Sequence, residues 1–384
     1  MKHASSIQSV IRRGYADYRR FRRVRADVAR AALRVSLCKT AALGGHVARC
    51  ECGATSSVHY NSCRHRSCPE CSGGRRARWL EHLRDDLLPC DHFHVIFTVP
   101  SELNAIWQHN RVLFAELLFK ASRLSLEQLL RDPKYLGAVP GIISALHTWG
   151  RNLSIHPHVH CLVTGGGVGG DGQFHHLKRR ILLPARVLMQ MFRGKFRFYL
   201  RRALLSERLA LPLGMTPNRF LSLLNRLGRS AWNVRVQDRY PHGASVAGYL
   251  ARYMSGGPLS NKRIVSVTDE DVTFQYLDHR DGREKPLKLS LCDFLDRWFE
   301  HVPPKGLRTV RRSGFYSNHY RAVRESLRDA CSSPGSEIEA EKIVDRELIY
   351  CPYCETAVIS RELISAEQMI DLESLGVRTG VEPP

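Results

Sequence analysis

The segment His156-Pro157-His158-Val159-His160-Cys161-Leu162-Val163 places three histidines at alternate positions. On a β-strand, side chains at i, i+2 and i+4 share a face. His156, His158 and His160 then line one side, and Val159 and Cys161 point to the other. Neutral imidazoles are good ligands for divalent cations, and a rigid strand sets their bite in advance. A cation held by them can polarise a phosphate oxygen and offset charge during phosphoryl transfer. One histidine alone is more often a satisfied core residue, whereas three on one face favour a metal site. Further ligands are available from His92 and His94 on an earlier strand, and from His147 on the strand between. Spacing does not rank them.

Tyr249 and Tyr253 lie four residues apart in Gly248-Tyr-Leu-Ala-Arg-Tyr-Met254, so both phenols leave one helix face. Tyrosines at this spacing are usually packing residues. Beside a histidine metal site the same pair can attack a phosphodiester and hold its energy as a phosphotyrosine ester. A phenol titrates near pH 10, so a nearby cation and basic residues would favour the phenolate. Arg252, between the tyrosines, and Lys262 and Arg263 just beyond are the expected phosphate contacts.

Five cysteines, Cys50, Cys52, Cys63, Cys68 and Cys71, fall in a stretch with little apolar periodicity. Cys68-Pro-Glu-Cys71 is a knuckle with the reach zinc requires, and Cys50 with Cys52 can supply the other half. One residue between Cys50 and Cys52, where two are usual, leaves Cys63 as a substitute. His46, His59 and His65 are outsiders. A thiolate-filled site has no open position, so its role would be structural. Cys351-Pro-Tyr-Cys354 is a second C-x-x-C, with Cys331 its near neighbour, and reads as a further zinc site or as free thiols. Cys38, Cys90, Cys161 and Cys292 are isolated and read as small buried hydrophobes.

These residues need a scaffold. At 384 residues, with 43% hydrophobic and 25% charged, the chain can bury a core and hold two or three domains. Lys+Arg number 58 against 37 Asp+Glu, a net charge of +21 that calls for a polyanionic partner. Arginine dominates the excess, which favours bidentate phosphate contact and hence nucleic acid. No apolar run is long enough to span a membrane and no export signal is visible, so the cytoplasm is the expected location. Reduced, clustered cysteines fit that compartment.

Periodicity predicts a helix over 7–37 rich in arginine, either a solvated face or a DNA-backbone contact. A helical pattern resumes at 79–88. Strands are expected at 92–99, 142–149 and 151–163, the last stopped by Gly165, Gly166 and Gly167. Helices are expected at 102–131, 184–210, 216–228, 244–254 and 293–301, and a hairpin at 264–267 and 272–277. A linker is expected near 332–338. This order gives an α+β fold with helices against a mostly antiparallel sheet.

Taken together, the chain resembles the two-tyrosine transposases of the insertion-sequence-91 family, within the HUH (His-hydrophobic-His) endonuclease superfamily. The likeness runs in order through Tyr60-Asn-Ser-Cys-Arg-His-Arg-Ser-Cys-Pro-Glu-Cys71, Phe93 to Pro100, Leu146 to Leu153, His156 to Gly167, Tyr249 to Tyr253 and His301 to Gly306. The resemblance implies an HUH-type antiparallel sheet flanked by helices, an N-terminal basic helix and a small zinc-binding module. It implies that His158 and His160, preceded by His156, bind a divalent metal, Mg²⁺ or Mn²⁺, with Zn²⁺ at the cysteines. Imidazole suits the softer manganese better than magnesium. Tyr249 and Tyr253 would be the nucleophiles that cut single-stranded DNA at transposon ends and hold its 5′ end, in rolling-circle-like transposition. Four parts are expected: a basic segment 1–45, a zinc module 46–88, a catalytic domain 89–325 and an extension 326–384. The rivals are a replication initiator or relaxase with the same chemistry, a non-catalytic zinc-dependent DNA-binding protein, and a hydrolase that activates water.

Overall fold

A computed structural model describes residues 5–49, 52, 55–240, 257–278, 280–331, 354 and 360–374. Helices α1 (Ile7–Phe21) and α2 (Ala26–Ser36) precede strands β1 (Gly45–Arg49) and β2 (Thr55–Tyr60) and helix α3 (Gly73–Asp86). Strand β3 (His92–Thr98) is followed by α4 (Asn104–His109) and α5 (Arg111–Leu130), then β4 (Val139–Trp149), β5 (Ile155–Val168) and β6 (Phe174–His176). Next come α6 (Ala185–Leu205), α7 (Pro217–Leu227) and β7 (Val234–Tyr240). Strands β8 (Ile264–Val267), β9 (Asp271–Leu277) and β10 (Glu284–Ser290) lead into α8 (Leu291–Glu300) and β11 (Val310–Gly314). After α9 (Arg321–Ser326) the described chain ends with β12 (Ser360–Ile364) and α10 (Ala366–Ser374). The predicted helix at 244–254 and the linker near 332–338 lie outside the described residues.

Two compact units emerge. One gathers Met1–Ala77, Ser255–Val302 and Ile338–Pro384; the other holds Arg78–Met254 and Pro303–Glu337. Four consecutive parts were the sequence expectation, but strand pairing crosses those boundaries. β12 pairs antiparallel with β1, from Gly45 opposite Ile364 to Arg49 opposite Ser360. The expected extension therefore contributes a strand to the sheet of the cysteine segment.

Within the first unit, the helix expected over 7–37 is broken at residues 22–25. The reason lies in the arginines. Arg22 pairs with Asp296 on α8, and Arg25 donates to the carbonyls of Phe299 and Val302. Arg13 pairs with Asp269 and Arg20 with Asp17. Much of the charge offered to DNA is thus committed inside the chain. Gly14 lets α1 lie close on α8, since a Cβ there would sit 3.0 Å from that of Leu291.

In the second unit, β11, β4, β5, β3 and β7 form one sheet in that order, with β6 on β5, all paired antiparallel. Side-chain alternation divides its faces. Phe93, Val95, Phe97, Ile142, Leu146, Val159, Cys161 and Val163 enter a core with Phe114 and Leu118 of α5 and Phe192, Phe196 and Leu200 of α6. The alternate positions, which include His94, His147, His158 and His160, face the other way. Helix α7 starts where the Thr216 side chain accepts from the Arg219 N–H, with Pro217 at the first helical position. The helix expected over 102–131 breaks at Asn110, whose amide bonds the carbonyls of Ile106 and Ala210.

The glycines at 165–167 do not stop β5, which continues to Val168. They are needed because neighbours crowd the strand. A Cβ on Gly166 would meet the Phe174 ring at 2.6 Å, and one on Gly167 the Val139 carbonyl oxygen at 2.3 Å. Backbone cannot yield as a flexible side chain can. Gly167→Ala is therefore expected to destabilise the unit by about 1–3 kcal/mol or more. Thermal melting checks this; an unchanged midpoint would mean that β4 and β5 separate freely at that end.

Candidate metal centres and catalytic site

His147 and His158 face each other across the β4–β5 pair, with His160 two residues further along β5. One ring nitrogen of each lies within 4.8 Å of the others. The ring centroids of His147 and His160 are 4.1 Å apart, and those of His158 and His160 4.8 Å. His147 is 1% exposed and His160 3%, so water does not compete for their rings from most directions. Burial holds all three imidazoles well below their ordinary pKa, that of His158 at about 3. They are neutral near pH 7, the form a cation requires.

The other ring nitrogens decide which lone pair is offered. His158 donates from Nδ1 to the carbonyl of His156 at 2.6 Å, leaving Nε2 as its ligand atom. His160 Nδ1 lies 2.8 Å from His94 Nε2, and His94 Nδ1 bonds the side-chain oxygen of Gln237 on β7. An amide oxygen only accepts, so His94 donates from Nδ1 and accepts at Nε2. His160 must then donate from Nδ1 and present Nε2. Burial keeps His94 neutral, as this relay requires.

Gln237 is a residue the sequence reading missed. Its signal was the alternation in Val234-Arg-Val-Gln237: Val236 pairs with Val95 and packs on the core, and Gln237 falls on the histidine side. Partners of ligating histidines typically contribute 10–100-fold, or about 1.4–2.7 kcal/mol, to metal affinity. Gln237→Ala should weaken Mn²⁺ binding by about that factor, and Gln237→Glu, which still accepts from His94, should recover most of it. Mn²⁺ titration followed by electron paramagnetic resonance reads both. Equal affinity in all three proteins would remove the relay.

His156 is exposed and stands outside the group of three, although its carbonyl orients His158. His92 is also occupied elsewhere: Nδ1 donates to the Cys90 carbonyl and Nε2 accepts from the Tyr316 hydroxyl, both at 2.8 Å. Tyr249, Tyr253 and Arg252 lie outside the described residues. In the other unit, Lys262 is exposed, while Arg263 is half-buried and donates to the Gln275 carbonyl at 2.7 Å.

The first unit brings Cys38, Cys63, Cys68 and Cys71 together, with all four sulfurs within 4.8 Å of one another. Cys63 and Cys71 Sγ are 3.7 Å apart, close to the roughly 3.8 Å edge of a tetrahedron built on 2.3 Å Zn–S bonds. Cys38, expected to be an isolated hydrophobe, is thus the fourth member. Cys52 is exposed and not among the four, and Cys50 lies outside the described residues. Cys354 is exposed, and Cys351 also lies outside the described residues. Hydrogen bonding within the cluster, first from Cys38, pushes the Cys71 thiol far down; the same bonding pushes Cys68 up. Lys39 and Arg64, each directly after a cluster cysteine, both have φ near +54°. Left-handed backbone at non-glycine residues costs energy, which binding at the cluster can repay. Four converging sulfurs fit zinc and leave no position for substrate.

The described residues thus hold a three-histidine group on an antiparallel sheet and a separate four-cysteine cluster. A transposase family model matches residues 141–324, and one described as a transposase zinc-binding domain matches residues 10–99. Transposase y4qJ of Sinorhizobium fredii is 37% identical over 348 residues, 83% of this chain and 85% of that one. The transposase for insertion sequence element IS801 of Pseudomonas savastanoi pv. phaseolicola is 29% identical over 350 residues, 85% of this chain and 82% of its own. A solved TrwC complex with a 27-mer DNA comprising the recognition hairpin and the cleavage site covers 41% of this chain and 71% of that one. At 13% identity and a TM-score of 0.23, that likeness is too slight to argue from. The chain belongs to the insertion-sequence-91 family of transposases, with its zinc-binding domain at the N-terminal side. Among the described residues no helix is long and apolar enough to cross a membrane.

Proposed function

We propose that this transposase nicks and rejoins single-stranded DNA at transposon ends through a 5′-phosphotyrosine intermediate, in a rolling-circle-like route. The observation that carries the reading is the convergence of His147, His158 and His160 from two neighbouring strands, with hydrogen bonds that leave the Nε2 lone pairs of His158 and His160 toward the group. Three imidazoles fit a divalent cation, with manganese suiting them better than magnesium, and leave positions for water and phosphate oxygen. A cation bound there supplies Lewis acidity toward the scissile phosphate. Tyr249 or Tyr253 loses its phenolic proton and its oxygen forms a bond to phosphorus, while the bond to the 3′ oxygen breaks and that oxygen leaves as a hydroxyl. Reversal by a different 3′ hydroxyl rejoins the strand and frees the tyrosine. The second tyrosine permits a second transfer before dissociation. Arg252, Lys262 and Arg263 are assigned to phosphate contact, the cysteine cluster to structural zinc, and the protein to the bacterial cytoplasm.

Incubation of the protein with end-labelled single-stranded DNA and Mn²⁺, followed by a denaturing gel, tests this. A protein–DNA adduct that survives denaturation and is absent from the Tyr249→Phe/Tyr253→Phe double variant is expected. Cleavage without an adduct would point to an activated water instead, and binding without cleavage to a DNA-binding protein only.

A further inference from the structure

From residue 172 to residue 237 the chain has fourteen Lys and Arg and a single acidic residue, Glu207. Helices α6 and α7 contain no carboxylate. Packing accounts for some of this charge. Arg197 donates from Nε to the Leu224 carbonyl at 2.6 Å and from Nη2 to the Asn225 side chain. Its guanidinium lies against Gly228, where a Cβ would come within 2.2 Å of Cζ. Arg193 donates to the Ser230 carbonyl. These two arginines close the C-terminal end of α7, where a positive charge offsets the helix dipole.

Arg186, Arg201, Arg202, Arg219, Arg226 and Arg229 are different. All six are exposed, and among the described residues none has a carboxylate partner. Between the helices runs a groove lined by Gly194, Arg197, Phe198 and Arg201 of α6 and by Leu221 and Asn225 of α7. A Cβ on Gly194 would meet nothing within 4 Å, so the groove is open along that stretch. A solvated face ordinarily mixes both signs of charge, whereas helices α6 and α7 carry only positive charge.

The inner side of α6 packs on the sheet face opposite the histidines, through Phe192, Phe196 and Leu200. A phosphate on its outer side is separated from the histidine centre by the sheet and by a helix roughly 10 Å thick. It cannot belong to the linkage being cut. We infer that the outer face of α6 and α7 holds a second segment of DNA, in duplex form, through its phosphates. Single strands are gripped by exposed aromatic platforms. On these helices Phe198 is the large aromatic more than half exposed, at 54%, and the Arg202 guanidinium lies over its ring at 5.8 Å. One exposed ring, shared with Arg202, among six exposed arginines offers little stacking surface, and such a face suits the dense phosphate array of a duplex.

The inference rests on the chain acting on DNA, and its test is independent of strand cleavage. In the full chain, Arg201, Arg202, Arg226 and Arg229 are each changed to Gln, and binding to a short duplex of arbitrary sequence and to a single strand is followed by fluorescence anisotropy over a range of salt. Loss of four phosphate contacts should weaken duplex binding by about ten-fold or more and make the slope of log affinity against log salt shallower by about 3–4. Single-strand affinity should change by less than about two-fold, because its contacts lie elsewhere. The all-Lys version should restore duplex binding. Duplex binding that is unchanged, or single-strand binding that falls equally, overturns the proposal. If the four-fold change lowers the melting temperature, Arg201→Gln/Arg202→Gln alone should reduce the slope by about 2. A wild type that forms no tyrosine adduct, yet loses duplex affinity on these changes, would sink the nicking mechanism and leave this surface standing.

Discussion

Replacing His147 by alanine should cut the rate of strand cleavage by about a thousand-fold or more, while His156→Ala should cost less than about ten-fold. A metal acting on a phosphoryl oxygen contributes several kcal/mol of transition-state stabilisation, and about 1.4 kcal/mol is a factor of ten. His147 supplies one of three converging nitrogens, so its loss leaves two ligands from one strand. His156 supplies a backbone carbonyl to His158, which alanine retains. Mn²⁺ titration separates a lost ligand from a lost fold, because His147→Ala should weaken binding sharply at an unchanged melting temperature. His147→Asp, which restores a donor, should recover part of the affinity. Equal cleavage by the His147→Ala and His156→Ala proteins would mean that the three rings do not share a cation.

What the sequence revealed of this site follows from the range over which its signals act. Alternation along one strand is a local property, so it puts His156, His158 and His160 on one face but does not decide whether His156 or His147 stands with the other two, and the structure groups His147 with them. Choosing between them needs the register of β4 against β5, which shifts between His147 and Trp149. Register is set by turns and packing beyond any local window. Gln237 was hidden for a related reason, since its strand is short and enters the sheet only after two helices. Strands β3, β4 and β5, the helices over their sheet and the hairpin at 264–277 had strong periodicity and were legible, whereas β6, β7, β10 and β11 were not expected. The broken helix at 22–25 was not, because distant carboxylates and carbonyls draw Arg22 and Arg25 out of helical register. Glycine misled at 165–167, where a residue that commonly ends strands instead allows close approach of Val139 and Phe174.

Cys38→Ala should remove zinc and unfold the cysteine segment, whereas Cys292→Ala should leave both intact. The two cysteines look alike in the sequence, each isolated from any pair. In the structure Cys38 Sγ lies among the other three sulfurs, and the Cys63 N–H donates to it at 3.5 Å; Cys292 is half-buried on α8 and belongs to no cluster among the described residues. The segment from residue 61 to residue 72 has no regular secondary structure and few buried apolar side chains beyond its cysteines. Its order must therefore come largely from the metal. Structural zinc binds with about 10–16 kcal/mol in comparable peptides, as much as the whole stability of a typical domain. Removing one of four thiolates forfeits enough of this to free Lys39 and Arg64 from their left-handed backbone. Zinc released to a colorimetric chelator on denaturation should fall from about one equivalent at this cluster to near zero. Limited proteolysis should begin within residues 61–72. Retention of that zinc by the Cys38→Ala protein would show that the fourth ligand is another group, and that Cys38 only fills space beside the other three.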